Sequence, residues 1–311
     1  MEKVLLVAGG GTLGTYVTEE MVSKGVHVDV ICLDDYKSSN MVTYYKENVN
    51  FEYIQKFLKE KTYAAIVDFL HYFDVRDYER AYNLYSEHTE QIVLLSSYRV
   101  YADEEHPIVE DSPTWFDVDV DKEFFENEKY ALPKLRCEKF LKSCAQKNWT
   151  IVRPVISFSN RRFDLFMYSG SAIIAKIKNK EKIILPNDAK DIVAGIDWAG
   201  NSGKLIGKLL MNDKAMGETF TISSGQNITW GGFADIYRDV LGADIVWGSM
   251  DEFIKYGPNM SGNKWGLKYD RLLERLVDPS KVMEATGTNK EDFKPIKEAL
   301  AYEFDKIKGE F

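Results

Sequence analysis

The sequence predicts an α/β fold, a doubly wound parallel sheet with a smaller mixed α/β lobe toward the C-terminal end. Three observations carry that expectation. Short apolar, β-branched runs alternate with helical segments through the first half of the chain, a glycine-rich turn follows the first run directly, and the alternation is lost after about residue 159.

The first run, residues 3–8 (Lys-Val-Leu-Leu-Val-Ala), is apolar after its lysine and closes on glycines, as a strand covered on both faces does. Gly9-Gly10-Gly11-Thr12-Leu13-Gly14 follows, then a helical segment over 16–24 that Gly25 ends, then a β-branched run over 26–33 that leads into Asp34-Asp35. Strand, glycine turn, helix, strand and acid in that order make the dinucleotide fingerprint of a Rossmann-type fold, with Gly9-x-Gly11-x-x-Gly14 at its spacing and Asp34 twenty residues beyond Gly14. Gly9 permits the tight turn, Gly11 lets backbone approach a pyrophosphate, and Gly14 lets helix and strand pack closely. The N-terminus of the helix that follows then faces the phosphates. Asp34 or Asp35 is expected to accept the ribose hydroxyls and to repel a 2′-phosphate, which favours NAD. Lys37 close by keeps NADP open.

Farther along, a helix is predicted over 51–61, a buried strand over 63–70 that leads into His71, a helix over 75–88 and a strand over 91–95 ending in Ser96-Ser97-Tyr98-Arg99-Val100-Tyr101. Ligands of such sheets bind outside the carboxyl ends of the strands, so the glycine turn, Phe69-Leu70-His71 and Ser96-Ser97-Tyr98 should converge. Residues 103–128 hold eleven acids, one lysine and two prolines, the composition of a long solvated loop or lid. A helix is expected from Tyr130 to about residue 147, then a strand over 149–152 ending at Arg153-Pro154. Pro133 lacks the N–H of an interior helical residue, so the helix should begin close to Tyr130.

These segments place a dinucleotide-binding domain at 1–158 and a substrate lobe at 159–311, with some segments returning to the first domain. In the lobe, helices are expected over 163–178, 198–211 and 233–241, a short strand over 182–185, and a helix with Pro279 at its first position behind Asp278.

Composition narrows the possible functions. With 311 residues, 45% hydrophobic and 29% charged, the chain can build a sizeable core. A net charge of −9 gives no general attraction to nucleic acid or to an anionic membrane, and no apolar run approaches a membrane span or a leader, so a cytoplasmic protein is expected. Cys32, Cys137 and Cys144 lack CxxC spacing and the four histidines are scattered, which points to buried thiols and to no metal centre.

Tyr130 and Lys134 stand four apart, on one face of the expected helix, where an ammonium beside a phenol favours the phenolate and equips it to exchange a proton with an alcohol. In order and spacing, the glycine turn, Ser96-Ser97-x-x-Val100-Tyr101, Tyr130-x-x-x-Lys134 and Arg153-Pro154 resemble the extended short-chain dehydrogenase/reductase superfamily. The likeness is to its NAD-dependent epimerase/dehydratase group acting on nucleotide sugars, in a divergent branch with a Gly-Gly-Thr turn, and it spans about residues 3–240.

The resemblance implies that Ser97 hydrogen-bonds the reacting oxygen, that Tyr130 is the acid and base, and that Lys134 binds the nicotinamide ribose. It also implies that Gly9, Gly11, Thr12, Leu13, Gly14, Asp34, Asp35, Phe69, Leu70 and His71 hold the cofactor, and that the protein is a homodimer joined through the helix after Phe73 and the Tyr130 helix.

Three departures stand out. The turn is one residue shorter than Gly-x-x-Gly-x-x-Gly, Ala102 replaces a glycine, and Tyr98 and Arg99 occupy the places where 4,6-dehydratases carry Asp-Glu. A nucleotide diphosphate would need local cations, for which Arg161, Arg162, Arg271 and Arg275 are candidates. Trp198, Trp230 and Trp265 suit either base stacking or core packing. Epimerase, reductase, 4,6-dehydratase and a non-catalytic dinucleotide-binding regulator all remain open.

Overall fold

The computed structural model describes residues 2–259 and 264–310. Its strands are β1 (Lys3–Val7), β2 (His27–Cys32), β3 (Val42–Lys46), β4 (Ala65–Asp68), β5 (Ile92–Leu95), β6 (Trp149–Pro154), β7 (Ile156–Phe158), β8 (Ile183–Pro186), β9 (Ile196–Trp198), β10 (Glu218–Ile222) and β11 (Ile245–Gly248). Seven of them form one all-parallel sheet in the order β10-β6-β5-β4-β1-β2-β3. The winding direction reverses between β1 and β4, so a crevice opens there at the carboxyl ends of the strands. Val4, Leu5, Leu6 and Val7 are all fully buried, the outcome of a continuous apolar run covered on both faces.

The helices are α1 (Thr12–Ser23), α2 (Phe51–Leu58), α3 (Val75–Ser86), α4 (Lys122–Asn127), α5 (Ala131–Ser143), α6 (Gly170–Asn179), α7 (Ala199–Leu209), α8 (Trp230–Leu241), α9 (Met250–Tyr256), α10 (Lys264–Gly266), α11 (Ser280–Thr286) and α12 (Ile296–Asp305). Residues of α2, α3 and α5 pack one face of the sheet, and residues of α1, α7 and α11 pack the other. The two-stranded pairs β7–β9 and β8–β11 belong with the second part of the chain, over its own apolar core. Among the described residues no helix is long and apolar enough to cross a membrane.

Several expected elements are corrected. The helix over 163–178 begins only at Gly170, because Phe163, Leu165 and Phe166 are buried in a compact turn with Phe166 at φ 55°. The helix of Tyr130 stops at Ser143 rather than near residue 147. Pro279 precedes its helix as the cap, while the Asp278 carboxylate accepts the Ser280 N–H at 2.9 Å. The acidic stretch 103–128 is solvated over most of its length, as expected, but it is anchored and not wholly a loop. It buries Ile108, Trp115 and Phe124 and forms α4.

Two strands of the main sheet, β3 and β10, were not anticipated. β3 is a half-exposed edge strand, and β10 lies well inside the expected second lobe yet pairs with β6. α7 also returns to the first half. A Cβ on its Gly203 would sit 2.4 Å from Tyr16 Cβ, and one on Gly207 would sit 2.6 Å from Glu20 Cγ, so the two glycines let α7 lie directly against α1.

Candidate active site

At the end of β1 the chain turns through Ala8, at φ 55°, and the Gly9 N–H returns to Ile31 O at 3.1 Å. A Cβ at Gly14 would lie 2.0 Å from Gly9 O, so helix and turn touch only because position 14 is glycine. A Cβ at Gly11 would meet nothing within 4 Å, and Gly11 caps α1 without a side-chain hydrogen bond. Backbone N–H groups at the start of α1 therefore face open space, the condition a dinucleotide pyrophosphate needs.

Beyond the turn, a smaller hollow of about 210 Å³ is lined by Gly10, Gly11, Cys32, Asp34, Glu47 and Leu70. Asp34 meets Arg161 Nη2 at 3.1 Å and the Tyr36 hydroxyl at 3.2 Å. Asp35 points away, mostly exposed and paired with Lys46 at 3.0 Å. Of the two strand-end acids, Asp34 is the one at the site.

Ser97 stands where β5 gives way to a short 3-10 turn, and its Oγ accepts the Arg99 N–H at 3.2 Å. Tyr130 is the cap residue of α5 and not part of the helix. Glu128 Oε2 accepts the Tyr130 and Leu132 N–H groups at 2.9 and 3.0 Å, satisfying donors at the start of the helix. The Tyr130 ring is 39% exposed, stacks on His71 at 5.5 Å and lies 4.7 Å from the Arg99 guanidinium. Burial holds the His71 imidazole below its ordinary value, against the opposing effect of the Lys129 carbonyl, which accepts from its ring at 2.7 Å.

Lys134 Nζ lies 5.3 Å from the Tyr130 ring centre and donates to Leu95 O at 2.5 Å and Ser96 O at 3.3 Å. The ammonium is thus buried between the phenol and the end of the strand that carries Ser97. The platform below is fixed by Glu138 of α5, which takes Arg153 Nε at 3.0 Å, Arg153 Nη2 at 2.5 Å and the Ser96 hydroxyl. Burial opposes ionisation of Glu138, but the charge and hydrogen bonds of Arg153 outweigh it and hold the carboxyl below its ordinary value.

A cavity of about 410 Å³ opens above these groups. Gly11, Thr12, Leu13, Gly14, Phe69, Ser97, Tyr98, Arg99, Tyr130 and Arg162 all line it, together with Pro154, Val155, Ile156, Ser157 and Arg271. Among the described residues no carboxylate forms its wall, whereas three arginines do. Arg271 sits in a π-helical turn, Leu267–Arg271, and is paired with the buried Asp270.

The structure does not bring every expected residue here. Gly9 packs behind the turn, Leu70 lines the smaller hollow, and Arg161 reaches Gly10 O and Asp34 instead of the main cavity. Arg275 is fully buried, donates to Tyr101 O at 3.0 Å and supports the Tyr98 ring from 5.4 Å, so it is a packing residue. Trp230 lies in the core and Trp198 packs on Tyr16. Glu128, Glu138 and Asp270, which set the site's geometry, were not anticipated, since nothing in their local sequence separates them from surface acids. Cys32 and Cys137 are buried free thiols, and Cys144 is partly buried.

No family model and no curated protein matches the chain. Its structure, however, is similar over nearly its whole length to solved structures. One is Pal from Bacillus thuringiensis, with TM-score 0.74 and 12% identity, covering 99% of this chain and 100% of the other. Another is UDP-glucose 4-epimerase with UDP-glucose from Thermotoga maritima, with TM-score 0.72 and 14% identity, covering 99% of each chain. A third is the Bordetella bronchiseptica enzyme WbmH in complex with NAD+, with TM-score 0.71 and 14% identity, again covering 99% of each chain. The chain has the Rossmann-type α/β fold of these proteins.

Proposed function

We propose that the chain is an NAD(P)-dependent enzyme of the extended short-chain dehydrogenase/reductase type that acts on a nucleotide sugar as an epimerase or reductase. The observation that carries the reading is the convergence on one cavity of the open start of α1, Ser97 and Tyr130, with Lys134 buried beside them. The structural neighbours with NAD+ or UDP-glucose bound support the same choice of ligands.

The residues present fit the cofactor. The glycine turn leaves its backbone clear for the pyrophosphate, and Asp34 stands at the ribose end. Bound NAD would supply hydride acceptance from the sugar carbinol carbon and hydride return to the resulting ketone. Tyr130 is the group placed to take the carbinol proton when the carbinol is oxidised and to return it when the ketone is reduced. The Ser97 hydroxyl donates to the oxygen on which charge develops. Lys134 fixes the electrostatics beneath Tyr130, and Arg162 and Arg271 supply the cations that a diphosphate needs in a protein of net charge −9. Hydride return to the opposite face of the ketone would give the epimer, whereas release of the ketone would give net oxidation.

A 4,6-dehydratase fits less well. Tyr98 is buried against Asp270, and Arg99 is committed to Asp270 at 3.3 Å and Glu128 at 3.8 Å, which leaves neither place an acid and base for water elimination.

The test is a panel of nucleotide sugars offered to the purified protein with NAD or NADPH, read by product chromatography and by nicotinamide absorbance. Tyr130→Phe should lower turnover by about 10²–10⁴-fold while cofactor still binds. Undiminished turnover in that variant would remove Tyr130 from the role. Sedimentation should show a homodimer, with α3 and α5 as the joined surface.

A further inference from the structure

The turn Ser159-Asn160-Arg161-Arg162 reaches from the main cavity, which Arg162 lines, to Gly10 and Asp34 of the smaller hollow, which Arg161 contacts. Ser159 and Arg162 exchange backbone hydrogen bonds at 3.2 and 2.9 Å, which closes the turn. It is tied to its surroundings at each residue. Ser159 Oγ lies 3.3 Å from Thr12 Oγ1 at the start of α1, the Asn160 N–H meets Glu303 Oε2 at 2.8 Å, and Arg162 lines the main cavity. Arg161 is thereby aimed at the adenosine end. One guanidinium nitrogen donates to Gly10 O, the other reaches Asp34 Oδ2 at 3.1 Å, and the Tyr36 ring lies 5.2 Å away.

This placement changes what Asp34 does. An isolated carboxylate at a strand end rejects a 2′-phosphate by charge repulsion. Here the carboxylate is matched by a guanidinium whose planar fork suits phosphate oxygens, and the next acid, Asp35, is matched by Lys46. The arginine comes from a distant part of the chain, and its N–H is held by Ser159 Oγ while that of its neighbour Asn160 is held by Glu303; the side chain stays about one-third exposed at 37%, so the fork can turn from Asp34 to an arriving phosphate.

Resting on the dinucleotide reading of the site, we infer that Arg161 reads the 2′ position of the adenosine ribose. The site then takes a 2′-phosphorylated dinucleotide as well as the unphosphorylated one.

Equilibrium binding of NADH and of NADPH to cofactor-stripped protein, followed by ligand fluorescence, tests this, with thermal unfolding run on each variant. The unaltered protein should bind the two within about tenfold of each other. Arg161→Ala should weaken NADPH by about 10–100-fold, the worth of a charge-assisted hydrogen bond, and leave NADH within about threefold. Arg161→Lys, which keeps the charge and loses the fork, should fall between. A ratio of the two affinities that Arg161→Ala leaves unchanged would overturn the inference while the dinucleotide reading stands. Unaltered protein that binds neither nucleotide would overturn both.

Discussion

Glu138 and Glu303 are both buried carboxylates, and each holds one wall of the cavity, but their partners differ. Glu138 is matched by the buried Arg153 in a two-pronged ion pair, with the Ser96 hydroxyl completing its shell. Glu303, from α12, is held mainly by neutral donors: the Tyr16 hydroxyl, Trp198 Nε1 at 2.7 Å and the Asn160 N–H at 2.8 Å. Its cationic partner among the described residues, Lys306 at 3.2 Å, is about one-third exposed at 32%. The wall that carries Ser97, Tyr130 and Lys134 is therefore clamped by a dry, matched charge pair, which is costly to break on either side. The wall formed by the Ser159–Arg162 turn, with Arg162 lining the cavity and Arg161 beside it, hangs on individually weaker bonds next to water. On the proposed reading, chemistry would sit on the fixed wall and ligand discrimination beside the adjustable one.

Breaking the fixed wall should have the largest effect. Glu138→Ala leaves a guanidinium buried without its partner and should cost about 3–5 kcal/mol in urea unfolding. A cost below about 1 kcal/mol would show that the pair does not clamp α5 to β6.

A third buried carboxylate sharpens the contrast, because Asp68, at the end of β4, has no such arginine. Burial pushes it up to about 6, with the Tyr72 hydroxyl at 2.7 Å, the Leu70 N–H at 2.9 Å and the charge of Lys134 only partly opposing. Its ordinary value is 3.8, so between the two values the folded chain holds a proton that the unfolded chain has lost. Stability from this group is fully present below 3.8 and is lost as pH rises through about 6. Measured against Asp68→Asn, the unaltered protein should gain about 2 kcal/mol of relative stability as pH falls from 7 to 4. A flat difference across that range would remove the assignment.

The adjustable wall should yield least. Glu303→Gln keeps one oxygen for Asn160 or Trp198 and should cost about 1–3 kcal/mol, read by thermal unfolding. A loss as large as that of Glu138→Ala would erase the distinction between the walls.

The sequence shows the fixed wall better than the adjustable one, and the reason is physical. Gly9, Gly11 and Gly14, Ser97, and Tyr130 with Lys134 lie on elements whose periodicity and breakers are local, so their convergence at one end of a parallel sheet follows from strand order. Arg161 reaches Asp34 across 127 residues, and Glu303 reaches Tyr16 across 287, and no local pattern encodes such contacts. β10 was overlooked for a related reason: its Glu-Thr-Phe-Thr-Ile segment alternates like any short strand, and only its pairing with β6 assigns it to the main sheet. The compact turn over Phe163–Tyr168 likewise looked helical because its apolar side chains serve a core that forms only in three dimensions.

The close fit of α7 against α1 through Gly203 and Gly207, with β10 beside β6, also bears on how the molecule is assembled. A nascent chain that has emerged only as far as Phe158 would present β6 as a bare sheet edge and α1 with an uncovered flank. Its glycine turn would be made early but buttressed late, so an expression fragment cut at that point should aggregate rather than fold alone.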